Sequence, residues 1–245
     1  MKVVAIIQAH CGSHRFPAKV LQDIAGMTML DRVIERVKRA RSPNAVVVAT
    51  STLAIDDAIE CRCARSGTPV FRGSDADVIS RFVQTAQDHR ADVCIRITSD
   101  CPLADPGIID RIVDRFLAVF PAVDYSSNKI PQSYPRGLDT EVFTTESLVH
   151  AERLAIEAYQ RTHVTPFIYE HPELFRLLSV TDPVDRAHWR WTVDTPEDLE
   201  FVRQVYAHFS GRAEFTWRDV LALLERQPEL MEINKNVRQK ALREG

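Results

Sequence analysis

With 245 residues, 45% of them hydrophobic, the chain can bury about three quarters of its unfolded surface, which suits one domain over residues 1–245. A formal net charge of -3 excludes the broad positive surface of a general nucleic-acid binder, so any bound anion is held locally. The apolar run Val3–Ile7 is too short for a signal sequence or a membrane span, and the five cysteines form an odd set. A cytoplasmic protein with reduced thiols and no membrane partner is expected.

Short β-branched runs alternate with helical patterns: strands over Val3–Ile7, Ala45–Thr50, Val70–Phe71 and Val93–Ile97, helices over Leu30–Ala40, Asp56–Ser66 and Val78–His89. That rhythm predicts βαβ units and an α/β fold with a mostly parallel sheet flanked by helices. From 124 to 143 the pattern turns irregular and strand-like, broken by Pro131, Pro135 and Gly137; this reads as an excursion from the core, followed by a helix over Glu146–Ala158. Strands are expected at Phe175–Val180 and Arg190–Val193, and a helix at Pro196–Phe209 with its proline in the first turn. The chain closes in a helical segment, 212–245, whose polar end from Asn234 reads as a solvated terminus.

Ligands of open α/β sheets bind beyond the carboxyl ends of the strands, and the loop Gln8-Ala9-His10-Cys11-Gly12-Ser13-His14-Arg15-Phe16-Pro17-Ala18-Lys19 follows the first strand. Gly12 lets backbone N–H groups approach an anion, and Arg15 and Lys19 add two cations, so the loop suits phosphates. It matches neither the Gly-x-Gly-x-x-Gly dinucleotide fingerprint nor the P-loop. Asp100 closes the strand Val93–Ile97, and Asp194 sits between a strand and a helix. Two such carboxylates suffice for Mg2+, which fills its other positions with water and phosphate. Asp194 could instead serve its helix N-terminus, but Thr195 is the better cap. Asp139 and Glu141, two apart, share one face of a predicted strand and either contact substrate hydroxyls or face solvent. Asp75-Ala76-Asp77 has the metal-motif spacing of glycosyltransferases, yet it precedes a helix and is read as a cap.

These segments resemble the cytidylyltransferases that make CMP-activated acidic sugars, and among them the spore-coat polysaccharide type. The resembling pieces are Ile6, Gln8 and Ala9 leading into Gly12-Ser13, Arg15, Pro17 and Lys19; Phe71-Arg72-Gly73-Ser74; Asp100-Cys101-Pro102-Leu103; Tyr134-Pro135; Gly137-Leu138-Asp139; His163-Val164-Thr165-Pro166; and Trp191-Thr192-Val193-Asp194. The resemblance implies a Rossmann-like nucleotidyltransferase fold and attack by a substrate hydroxyl on the α-phosphate of CTP. It puts Arg15 and Lys19 at phosphates and Asp100 and Asp194 on Mg2+. Gln8, Ala9, His10, Gly12, Ser13, Arg72 and Ser74 then complete the nucleotide site, and Tyr134, Asp139, Glu141 and His163 the substrate site. It also implies a homodimer. The acceptor it implies is a nonulosonic-type acid or a related small acid such as a phosphonate.

The chain departs from that family at the phosphate loop. His10 replaces an arginine, and Cys11, His14, Phe16, Ala18 and Ser99 replace the usual Met, Ser or Thr, Leu, Gly and Gly. One expectation is that His10 donates to a phosphate as imidazolium, so that CTP use falls as the pH rises through about 6.5. The other is a degenerate nucleotide-binding protein.

Overall fold

The computed structural model describes residues 1–241. In chain order its elements are β1 (Val3–Gln8), β2 (Asp23–Ile24), β3 (Met27–Thr28), α1 (Met29–Lys38), β4 (Ala45–Ser51), α2 (Asp57–Arg65), β5 (Val70–Gly73), α3 (Val78–Asp88), β6 (Val93–Thr98) and α4 (Pro106–Val119). There follow β7 (Tyr125–Ser127), β8 (Glu141–Thr144), α5 (Thr145–Leu154), α6 (Ala158–His163), α7 (Pro166–Glu170), β9 (Leu177–Ser179), α8 (Pro196–His208) and α9 (Trp217–Arg226).

Seven strands form one sheet in the order β5-β4-β1-β6-β8-β7-β9. β1 pairs in parallel with both β4 and β6, and only β8 runs antiparallel to its two neighbours. The chain builds outward from β1 to β4 and β5, then returns to lay β6 on the other side of β1. The crevice between the carboxyl ends of β1 and β6 is therefore the topological switch point, where such sheets bind ligands.

Strand β1 is buried on both faces, as parallel strands covered by helices are. Val3, Ala5 and Ile7 point into a core with Leu30, Val33, Ile112 and Val205, from α1, α4 and α8. Val4 and Ile6 point into a second core with Phe82 of α3, Leu148 of α5 and Ile168 of α7. The caps are local: Thr28 with Asp31 and Thr195 with Asp198 each form a reciprocal capping box, and Asp77 accepts from Ser80 N.

Three expectations need correction. The stretch 124–143 does not leave the core, because both its ends, β7 and β8, join the main sheet. The helix expected to reach Ala158 stops at Leu154, where Ala155 turns to extended backbone at ψ 115, and α6 then starts afresh. Arg190–Val193 is no strand: only Arg190 makes a bridge, to Arg136. The chain there is held by the preceding loop, since Gly137 at φ 106 lies so close that a Cβ would stand 2.6 Å from Thr192 N. In the C-terminal segment, α9 is followed by a 3-10 turn over Pro228–Glu232, and residues 242–245 lie outside the described chain.

Candidate active site

The loop after β1 is folded by its own backbone and by one buried carboxylate. Ala18 N donates to Cys11 O at 2.9 Å, and Asp56 accepts from Cys11 N at 2.7 Å. Ser51 holds Asp56 in turn through its hydroxyl and its N–H. Ala18 takes the left-handed conformation, φ 54 and ψ 26, a region that favours glycine. That geometry turns the chain so that Lys19 enters the site.

Lys19 is the centre of the arrangement. Its side chain is 6% exposed, and Nζ donates to Asp100 Oδ2 at 3.0 Å, to Asp194 Oδ1 at 2.8 Å and to the Val193 carbonyl at 2.8 Å. Asp194 Oδ2 is met by Arg15 at 2.8 Å and by Arg190 at 2.6 Å. Asp100 Oδ1 accepts from the Thr98 hydroxyl at 2.6 Å. The structure thus brings together Arg15, Lys19, Asp100 and Asp194, from three distant parts of the chain, at the β1/β6 crevice.

Burial alone raises carboxyl pKa values, yet both aspartates are held below the ordinary value. The Lys19 charge and the Thr98 hydroxyl outweigh burial at Asp100. At Asp194, Lys19 and Arg190 outweigh burial and the neighbouring Asp100. Lys19 is likewise held above its ordinary value, because the two carboxylates outweigh its burial. All three groups are charged at neutral pH.

His10 stands beside this cluster, with Nδ1 over Gly12. Burial, then the Lys19 charge, lowers its pKa from the usual 6.5. In the free protein this favours the uncharged ring, so an imidazolium at this position would need a bound phosphate to stabilise it.

Gln8 turns its amide oxygen to Arg96, at 2.9 and 3.2 Å, while Ala9 is buried and pairs with Ala49. Ser13 Oγ accepts from Phe16 N at 3.4 Å. Arg72 is tied to Asp57 at 2.7 Å and Glu60 at 2.6 Å, and Ser74 Oγ accepts from Asp77 N at 3.0 Å. On the other side, Glu141 is 2% exposed and fully engaged: Arg96 donates to it, Tyr125 at 2.7 Å and Thr165 at 2.5 Å add hydroxyls, and Lys129 lies 3.8 Å away. Lys129 and Arg96 outweigh burial and hold its pKa at about 2. Asp139 does not share a strand with Glu141, since β8 begins at Glu141. It accepts from Gln132 at 2.7 Å, and burial pushes its pKa up. Tyr134 is in the core, edge-on to Trp217 at 5.4 Å. His163 ends α6, two residues before the Thr165 that donates to Glu141.

Residues 4–233 match the family model described as cytidylyltransferase. The chain belongs to the cytidylyltransferase family. It is 32% identical over 234 residues to the spore coat polysaccharide biosynthesis protein SpsF of Bacillus subtilis, covering 93% of this chain and 95% of that one. It is 29% identical to a 3-deoxy-manno-octulosonate cytidylyltransferase of Solibacter usitatus, covering 84% and 94%. A solved cytidylyltransferase from Leptospira borgpetersenii superposes with a TM-score of 0.92 at 32% identity, over 98% of this chain and all of the other. The enzyme is a nucleotidyltransferase, and its mixed seven-stranded sheet is the Rossmann-like nucleotidyltransferase fold. No helix among the described residues is long and apolar enough to cross a membrane.

Four residues of this cytidylyltransferase escaped the sequence reading. Arg190 touches Asp194, Asp56 anchors the loop, Arg96 links Gln8 to Glu141, and Arg81, buried in α3, donates to Ser74 O at 3.1 Å. Arg190 and Arg96 lay in runs read as strands, where a charge within an otherwise apolar stretch is the one available signal of a buried partner.

Proposed function

We propose that the enzyme transfers CMP from CTP to an acidic sugar of the nonulosonic type, or a closely related acid, with Mg2+ as cofactor and with release of pyrophosphate. The observation that carries this reading is the convergence of Asp100 and Asp194 on the Lys19 ammonium at the switch point, with Arg15 alongside. The acceptor class is supported by the named relatives, one acting in spore-coat polysaccharide biosynthesis and one on an eight-carbon sugar acid.

The residues fit the metal. Two hard carboxylate oxygens already converge on one cationic group, and Mg2+ needs no more than two protein carboxylates. Asp100 and Asp194 are the residues to hold it. When bound it would neutralise phosphate charge during the displacement. Arg15 and Lys19 would bind phosphate oxygens, and the loop backbone at Gly12 and Ser13 would orient them. In the reaction the acceptor oxygen bonds to the α-phosphorus, the bond to the bridging oxygen of the β-phosphate breaks, pyrophosphate leaves, and the acceptor proton passes to solvent. Such a transfer is driven by positioning and charge stabilisation, so no covalent intermediate is required.

The glycosyltransferase alternative loses support, since Asp77 is spent on capping α3 and on Arg161 at 2.6 Å. We place the enzyme in the cytoplasm, with its triphosphate, and as a homodimer that covers the exposed Leu154, Ile156, Leu174 and Leu177 near the outer strand β9. The direct test is regiochemical. With an 18O-labelled acceptor hydroxyl, the label is expected in the bridge of the CMP ester; label in an acceptor diphosphate with CMP released, or label lost to water, would refute attack at the α-phosphorus.

A further inference from the structure

The family match ends at residue 233, yet the chain continues along the active site. Asn234 is buried, 6% exposed, and its Nδ2 donates to the Arg190 carbonyl at 3.0 Å and to Asp198 Oδ1 at 2.9 Å. Five residues on, the Gln239 side-chain oxygen accepts from Arg190 Nη1. Three more donors of that guanidinium are also used. Nε and Nη2 bind the two oxygens of Asp198 at 2.9 and 3.0 Å, and Nη2 reaches Asp194 Oδ2 at 2.6 Å. Asp198 further accepts from the backbone N–H groups of Asp194 at 2.9 Å and Thr195 at 3.1 Å.

Asn234 and Gln239 therefore hold the backbone and guanidinium of Arg190, which with Arg15 meets Asp194, and the Asp198 carboxylate that grips that guanidinium. Beneath the segment, between it and Trp189, Trp191 and Met231, lies a cavity of about 390 Å³. Close apolar packing is thus incomplete there, which leaves the polar contacts as the specific fastening.

We propose that Asn234–Gln239 is a strap that sets the orientation of Asp194 through Arg190, with Asn234 and Gln239 as positioning residues. With Oδ2 held by Arg190, alongside Arg15, Oδ1 is turned to the cation position now taken by the Lys19 ammonium. The proposal rests on the reading of Asp194 as a metal-binding carboxylate. Partners that orient a ligating side chain typically change metal affinity or activity roughly 10- to 100-fold when lost.

The experiment uses the full chain with Asn234→Asp, which keeps shape but loses the donor, and Gln239→Ala, an exposed change that cannot unfold a core. Lys235→Ala, in the same segment but facing Glu232, is the control. Free Mn2+ is titrated by its electron paramagnetic resonance signal with CTP present and acceptor absent, CTP binding is measured by calorimetry in chelator, and folding by urea denaturation. We expect Mn2+ affinity to fall about 10-fold in both strap variants, with CTP binding in chelator unchanged and the control like the parent. Unchanged Mn2+ affinity in both variants, or lowered stability alone, would overturn the strap. Asp194→Asn separates the two levels: if it leaves Mn2+ affinity intact, the reading of Asp194 fails and the strap with it. If it weakens Mn2+ binding while the strap variants do not, only the strap fails.

Discussion

Replacing Lys19 by methionine keeps the length and apolar stem of the side chain and removes its charge. Asp100 then loses its only ion-pair partner among the described residues, while Asp194 keeps Arg15 at 2.8 Å and Arg190 at 2.6 Å. Removing one partner of a buried pair costs about 3–5 kcal/mol. The surviving Thr98 hydroxyl on Asp100 and the arginines on Asp194 put this case at the low end, about 3 kcal/mol, or about 1 M in urea midpoint. The pH dependence follows by sign. In the parent, both aspartates are held below 3.8, so their contribution is present above that value and is lost as the pH falls through it. Lys19, held above 10.5, stays charged from about pH 4 to 8 and adds no slope there. In Lys19→Met the two carboxylates face each other with no cation between them, and the Asp100 carboxyl rises. The deficit is then largest at neutral pH and shrinks in mild acid, and Mg2+ stabilises the variant more than the parent. Urea denaturation across that pH range, with and without Mg2+, measures both effects. A variant as stable as the parent at neutral pH, with no added response to Mg2+, would refute the reasoning.

Ala18 is left-handed at φ 54, a conformation that costs an L-residue about 1–2 kcal/mol; Ala18→Gly is expected to gain up to about 1 kcal/mol in urea denaturation, and a loss would contradict the geometry. His10→Arg restores a charged donor beside the phosphate loop and is expected to lower the KM for CTP about 10-fold or more. Because burial keeps the parent His10 uncharged at neutral pH, its KM for CTP should stay level above about pH 7, and a steady rise there would restore the imidazolium. Glu141→Gln breaks a buried ion pair and should destabilise the enzyme by about 3 kcal/mol or more. The Glu141 contribution, with a pKa of about 2 against the usual 4.5, is present above the usual value and is lost as the pH falls through that window. A variant of unchanged stability but raised acceptor KM would instead make Glu141 a substrate contact.

The alternating strands and helices were legible because apolar periodicity reports burial, and the ends of β1 and β6 were legible because Gln8 and Asp100 punctuate apolar runs. Lys19, Asp100 and Asp194 could be named as strand-end charges. Their meeting on one ammonium could not be read, since it depends on β6 crossing to the far side of β1 and on Gly137 pressing against the Trp191–Thr192 backbone. The short pieces misled for a related reason. Arg190–Val193 has strand composition, but its neighbours offer a guanidinium cage instead of a pairing edge. Glu141 read as either a substrate contact or a solvent-facing acid on an alternating strand, because nothing local announces that Arg96, 45 residues away, takes its charge. The polar tail read as solvated, as termini usually are, and only the fold shows Asn234 buried against Asp198.

The central claim, CMP transfer from CTP to an acidic sugar, is tested most directly by pyrophosphate release. The measurement takes each of the four nucleoside triphosphates with Mg2+ against acid sugars, their uncharged analogues and a phosphonate, with Asp100→Asn as control. The account predicts the highest kcat/KM for CTP with a sugar acid and its loss in the variant. Equal turnover of another triphosphate, turnover of uncharged sugars as fast as acids, or release that survives Asp100→Asn would contradict it.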